Sequence, residues 1–183
     1  MTVEIMSACV FPGQGSQSVG MLNAWGDHPV VKETLQEASD ALNEDLATLI
    51  AEGPAERLAL TTNTQPVMLA SAVAFYRAWL AAGGPVPSIV AGHSLGEFSA
   101  LVVAGGLSFE DGLRLVAARA NAMQAACEAY PSTMAAVLGL ENKTVEQICD
   151  QTDGVVVAAN YNCPGQIVIS GEIAAVEMAC ETL

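Results

Sequence analysis

The sequence predicts an α/β fold, and three observations predict it. The apolar run Ser88-Ile89-Val90-Ala91 feeds the turn Gly92-His93-Ser94-Leu95-Gly96, which opens the helix-like stretch Glu97 to Val102. A second strand candidate, within residues 3–11 and ending Ser7-Ala8-Cys9-Val10-Phe11, runs into the glycine-rich loop Pro12-Gly13-Gln14-Gly15-Ser16-Gln17. The 183 residues are 52% hydrophobic but only 5% aromatic, with 16 glycines, a balance that suits helices packed closely over a sheet better than an all-β sandwich. This content excludes a disordered chain.

Helical periodicity over Val30 to Leu42 places Val31, Leu35, Ala38 and Leu42 on one face, with Lys32, Glu33, Glu37 and Asp40 pointing elsewhere. Pro54 is expected to open a short helix holding Leu58. Pro66 is expected to open a long one through Phe75, Trp79 and Leu80, ending at Gly83-Gly84. After the Gly105-Gly106 break, Ser108 with Asp111 reads as the cap of a helix over Phe109 to Ala129, which Pro131 closes.

The remainder changes character. Strand Met134 to Leu140, helix Thr144 to Asp150, strands Val155 to Ala159 and Ile167 to Ser170, and a helix from Ile173 give the order β-α-β-β-α. That is a ferredoxin-like unit one strand short. The expected domains are therefore 1–131, the front of the main α/β domain, and 132–183, an incomplete ferredoxin-like subdomain. The chain reads as the front part of a longer protein.

The formal charge is −14, and the fixed cations are Lys32, Arg57, Arg77, Arg114, Arg119 and Lys143. No basic stripe exists, which argues against a nucleic-acid partner. Cys9, Cys127, Cys149, Cys163 and Cys180 are odd in number, scattered, and never in a Cys-x-x-Cys pair, so neither a disulfide framework nor a metal site is expected. The N-terminal residues show no basic region followed by an apolar core, and the longest apolar stretches are broken by Arg77 or by glycines well before bilayer length, so a cytoplasmic protein without membrane contact is expected.

Gly92-His93-Ser94-Leu95-Gly96 is the sequence form of a nucleophile elbow, so the main sheet is expected to be parallel and hydrolase-like, with Ser94 as nucleophile. The backbone N–H of Leu95 is a natural oxyanion donor there. The bland alternative is a small-residue turn packing a strand on a helix. Gly13-Gln14-Gly15-Ser16 is compatible with a phosphate cradle, although it lacks the Walker or Gly-x-Gly-x-x-Gly spacing. Arg119 has apolar neighbours, Val116 to Ala118, and is either an inward cation or an ordinary surface arginine, as Arg114 near Asp111 is read to be.

Four segments together, Phe11-Pro12-Gly13-Gln14-Gly15-Ser16-Gln17, Thr64-Gln65-Pro66, Gly92-His93-Ser94-Leu95-Gly96-Glu97 and Asn160-Tyr161-Asn162-Cys163-Pro164-Gly165-Gln166, closely resemble the malonyl-CoA:acyl carrier protein transacylases of bacterial fatty-acid synthesis. The resemblance spans essentially the whole chain. It implies acyl transfer from CoA to the carrier's phosphopantetheine thiol through an O-malonyl serine at Ser94, with the backbone N–H groups of Leu95 and Gln14 as oxyanion donors. It implies that Arg119 binds the malonyl carboxylate, for which the planar guanidinium fork is suited. Gln65, Met123, His93, Asn160 and Gln166 would border the substrate. No cofactor beyond the malonyl-CoA substrate is implied, and a monomer is expected.

The family's general base is a histidine downstream of the region matching Gln166, outside these residues. His28 sits in a polar stretch expected to be solvated, and His93 adjoins Ser94 in a direction unsuited to deprotonating it. An impaired or misfolded segment is therefore expected in isolation. Acyl carrier proteins are themselves acidic, so a chain at −14 should repel them, and no docking patch is legible here. Two other readings remain open: an α/β-hydrolase-type thioesterase and a non-catalytic acyl-CoA-binding fragment.

Overall fold

Two neighbouring parallel strands place the ends of two loops side by side. The computed structural model describes residues 7–183, so residues 3–6 of the first expected strand lie outside the described residues. Strand β1 (Ala8–Phe11) pairs in parallel with β2 (Ile89–Gly92), in the register Ala8 to Ile89 through Phe11 to Gly92. Between them lie helices α1 (Pro29–Leu42), α2 (Leu46–Glu52), α3 (Ala55–Ala59) and α4 (Thr61–Ala81). After β2 come α5 (Gly96–Val103) and α6 (Phe109–Ala129).

The chain divides into two compact units, Met1–Gln124 and Ala125–Leu183, with the boundary inside α6. In the first, the apolar stripe of α1 (Val31, Leu35, Ala38) packs with Leu46, Leu49 and Ile50 of α2, Leu58, Val67, Leu69 and Val73, and Leu113 and Val116 of α6. The α6 N-terminus is capped as expected: Ser108 Oγ accepts from the Asp111 N–H at 3.1 Å and donates to Asp111 Oδ2 at 2.7 Å. Arg114 pairs with Glu110 at 2.5 Å, one turn away, and not with Asp111.

Helix α4 starts five residues before the proline expected to open it. Pro66 lies inside the helix and is buried. Its first turn is tied down by side chains: Thr64 Oγ1 donates to the Leu58 carbonyl at 2.6 Å, and Asn63 Nδ2 donates to the Arg57 carbonyl at 2.7 Å. These bonds hold the turn where the proline removes one backbone donor. Helix α2 was not expected at all; Asp45 caps it, accepting from the Thr48 N–H at 3.0 Å.

The second unit has the expected order: β3 (Ser132–Leu138), α7 (Asn142–Gln151), β4 (Val156–Cys163), β5 (Gln166–Glu172) and α8 (Ile173–Thr182). The three strands are antiparallel in the order β3-β5-β4, over a core of Val137, Val145, Val156, Ile167, Ile169, Val176 and Ala179. Residues 160–163, beyond the expected end of the strand at Ala159, continue β4, leaving Pro164-Gly165 as a two-residue hairpin loop. No described helix is long and apolar enough to cross a membrane.

Candidate active site

The turn after β2 has the strained geometry of an elbow. Ser94 takes φ +51°, a left-handed conformation that a non-glycine residue adopts at a cost, and its side chain is exposed. The turn is held by Gly96 N–H to the His93 carbonyl at 2.8 Å and Glu97 N–H to the Ser94 carbonyl at 3.1 Å, after which α5 begins. Both motif glycines are demanded by close approach. A Cβ on Gly92 would fall into the Gly96 carbonyl group, and one on Gly96 would strike the carbonyl oxygens of Phe11 and Pro12.

The loop after β1 abuts this turn. The His93 N–H donates to the Phe11 carbonyl at 3.0 Å, and a Cβ on Gly13 would lie 2.9 Å from the His93 carbonyl oxygen and 3.0 Å from its Nδ1. The backbones carrying Gln14 and Leu95 are thus locked together at the carboxyl ends of adjacent parallel strands, where α/β proteins build their sites. Neither the Gln14 nor the Leu95 N–H is spent on a backbone bond among the described residues.

Helix α6 delivers the cation. Arg119 Nη1 donates to Gln65 Oε1 at 2.6 Å, Nη2 donates to Ser94 Oγ at 3.3 Å, and Cζ lies 5.7 Å from the Phe98 ring centroid. The ion pairs among the described residues are Lys32 with Asp27, Arg77 with Glu37 and Arg114 with Glu110, so Arg119 carries no carboxylate. Gln65 is fully buried, and its Nε2 donates to Thr61 Oγ1 at 2.9 Å and to Met123 Sδ at 3.4 Å. Thr61 Oγ1 in turn donates to Gln14 Oε1 at 3.0 Å.

Ser94, Leu95, Gln14, His93, Gln65, Met123 and Arg119 are therefore one neighbourhood of the first unit. Thr61, which sequence reasoning passed over, belongs with them. Ser94 Oγ accepts a hydrogen bond from Arg119. His28 is half-buried and edge-on to Trp25 at 5.6 Å, at the start of α1, in place of the solvated loop expected of it. Asn160 and Gln166 lie in the second unit, half-buried on β4 and β5; Gln166 Oε1 accepts from Asn162 Nδ2 at 3.2 Å. No group of three or more potential metal ligands occurs among the described residues.

Residues 8–183 match the family model described as acyl transferase domain. Over 175 residues the chain is 49% identical to the malonyl CoA-acyl carrier protein transacylase of Escherichia coli K12, covering 94% of this chain and 57% of that relative. The transacylase of the same name from Bacillus subtilis 168 is 44% identical over 178 residues, covering 95% of this chain and 56% of the relative. The chain thus spans just over half the length of these curated relatives. Among solved structures, the Xanthomonas oryzae malonyl-CoA:acyl carrier protein transacylase superposes with a TM-score of 0.93 at 50% identity, covering 98% of this chain and 58% of that one. The Burkholderia pseudomallei acyl-carrier-protein S-malonyltransferase gives 0.91 at 59% identity, covering 97% and 59%. With a strained serine elbow, a glycine loop locked to it and a family match running from the first described strand to the last residue, the chain belongs to the acyl transferase domain family.

Proposed function

We propose that this chain carries the malonyl-loading half of a malonyl-CoA:acyl carrier protein transacylase of fatty-acid synthesis. The observation that carries the reading is the guanidinium of Arg119, free of any carboxylate among the described residues, 3.3 Å from the hydroxyl of a serine at positive φ. A lipase-like hydrolase wants an apolar acyl tunnel beside its nucleophile, whereas an uncommitted arginine there suits an acyl group ending in a carboxylate.

In the proposed first half-reaction Ser94 Oγ attacks the thioester carbonyl of malonyl-CoA. The developing oxyanion is met by the backbone N–H groups of Leu95 and Gln14, and one such donor is typically worth about 2.7–4 kcal/mol of barrier. The C–S bond breaks, CoA leaves with the serine proton as its thiol, and an O-malonyl serine remains. In the second half-reaction the phosphopantetheine thiol of an acyl carrier protein attacks that ester, and Ser94 regains a proton. Arg119 holds the malonyl carboxylate through both. We infer that the base for Ser94 comes from sequence that the relatives carry beyond the matched length, so loading by residues 1–183 alone is slow.

A malonyl-transacylase solved in complex with a type II PKS acyl-carrier protein, 45% identical with a TM-score of 0.90, supports a carrier protein as the second substrate. His93 and Met123 are proposed to border the loaded serine. A monomeric cytoplasmic enzyme without a cofactor fits this reading.

Intact-mass spectrometry before and after malonyl-CoA, with Ser94→Ala in parallel, tests the proposal. One malonyl adduct that vanishes in the variant is expected. A folded chain that binds malonyl-CoA without any adduct would make it a binding fragment instead, and release of malonate to water at the rate of loading would make it a thioesterase.

A further inference from the structure

Four polar side chains from three separate segments form a chain of hydrogen bonds that all donate in one direction. Arg119 donates to Gln65 Oε1 at 2.6 Å, Gln65 Nε2 to Thr61 Oγ1 at 2.9 Å, and Thr61 Oγ1 to Gln14 Oε1 at 3.0 Å. We propose that Thr61 is a positioning residue that couples the Arg119 carboxylate clamp to the Gln14 oxyanion loop. The inference rests on the malonyl-loading reading of this site.

The directions follow from chemistry. Arg119 is a donor only, so it forces the amide of the fully buried Gln65 to present Oε1 to it and Nε2 to Thr61. Having accepted from Gln65, the Thr61 hydroxyl has one proton to give, and it goes to Gln14. Chains of this kind polarise link by link, and here the source is a cation at the acyl-binding end. Thr61 is not a loose surface hydroxyl. It is the first residue of α4, and the two side-chain bonds from Asn63 and Thr64 pin that turn to the backbone of residues 57 and 58. Thr61 also supplies the described hydrogen bond that anchors the Gln14 side chain.

Removing the hydroxyl with Thr61→Val keeps the side-chain shape. Gln65 Nε2 then has only Met123 Sδ, a weak acceptor, and the Gln14 side chain is released. Both ends loosen together, while Thr61→Ser keeps every bond. We expect Thr61→Val to slow loading of Ser94 by malonyl-CoA about tenfold and by acetyl-CoA only about threefold, since acetyl uses the loop but not the clamp. Thr61→Ser should stay within about twofold of the parent. In an Arg119→Ala background the two acyl groups should be slowed by Thr61→Val to the same extent.

A second measurement is independent of acylation: side-chain 15N NMR of the full chain without substrate. Thr61→Val should shift both the Arg119 Nε–H and the Gln14 side-chain amide signals, and Thr61→Ser should shift neither. Equal slowing of malonyl and acetyl, or Arg119 signals unmoved by Thr61→Val, overturns the coupling. If the parent chain loads nothing while the NMR shifts appear together, the coupling stands and the malonyl-loading reading fails.

Discussion

The guanidinium of Arg119 donates to the oxygen of Ser94 across 3.3 Å, although 25 residues separate them in sequence. In the proposed reaction this cation receives the acyl carboxylate beside the serine that is loaded. Arg119→Ala is expected to lower loading by malonyl-CoA about 100-fold and by acetyl-CoA by much less. Arg119→Lys should recover little of the loss, because a point charge cannot reproduce a bond to Gln65 and a fork on a carboxylate at once. Loading rates for the two acyl-CoAs, followed by intact mass, check this.

The positive φ of Ser94 predicts an asymmetry between two variants that lack the proposed nucleophile. Ser94→Gly removes the steric cost of the left-handed conformation, whereas Ser94→Ala keeps it. In urea unfolding Ser94→Gly should be the more stable of the two by about 1 kcal/mol. The opposite order would mean that the turn stores no such cost.

Gly96 packs against the carbonyl oxygens of Phe11, the last residue of β1, and Pro12, so Gly96→Ala has no relaxation open to it except moving that backbone away from the elbow. A destabilisation of about 2 kcal/mol or more is expected, together with loss of loading. Gly26→Ala is a useful control: a Cβ there meets nothing within 4 Å, and only its positive φ of 52° opposes the change.

Asp45 gives a pH signature. The Thr48 backbone N–H bonded to it holds its carboxyl below the usual carboxylate range. A depressed folded-state pKa stabilises fully above the unfolded value of about 3.9, and that contribution fades as pH falls through the lower folded value. Asp45→Ala should therefore be less stable than the parent at pH 7, with the gap closing toward pH 2. Urea midpoints measured across that range decide it; a gap that does not change with pH would assign the effect to the uncharged hydrogen bond.

What was legible in the sequence is what is decided within a few residues. The elbow is a local object: a strand, two glycines and a serine between them. The cap at Ser108 and the stripe of α1 are equally local, and both are found as read. Helix α2 carried a local signal that was passed over, with Asp45 as N-cap, Leu46, Leu49 and Ile50 buried on one side and Gly53 at the end. Pro66 misled because its fixed φ normally marks a first turn, and here hydroxyl and amide bonds from Thr64 and Asn63 maintain the helix around it. The expected strand end at Ala159 was also too early, since residues 160–163 continue β4 against β5 through an irregularity between Tyr161 and Cys163. Thr61 was invisible for a different reason. Its bond to Gln14 spans 47 residues, and no spacing rule reports which distant amide a hydroxyl will meet.

The parallel pairing of Phe11 with Gly92 has a last consequence. The backbones of the two loops leave the sheet at the same rung of one ladder, so main-chain pairing sets the separation at which they start. Residues flanking the two loops can then vary in chemistry without detuning the reaction centre, while adding or deleting a single residue between either strand and its loop would pull the two halves out of step. Length, together with the glycines at 13, 92 and 96, is what this part of the molecule has to preserve.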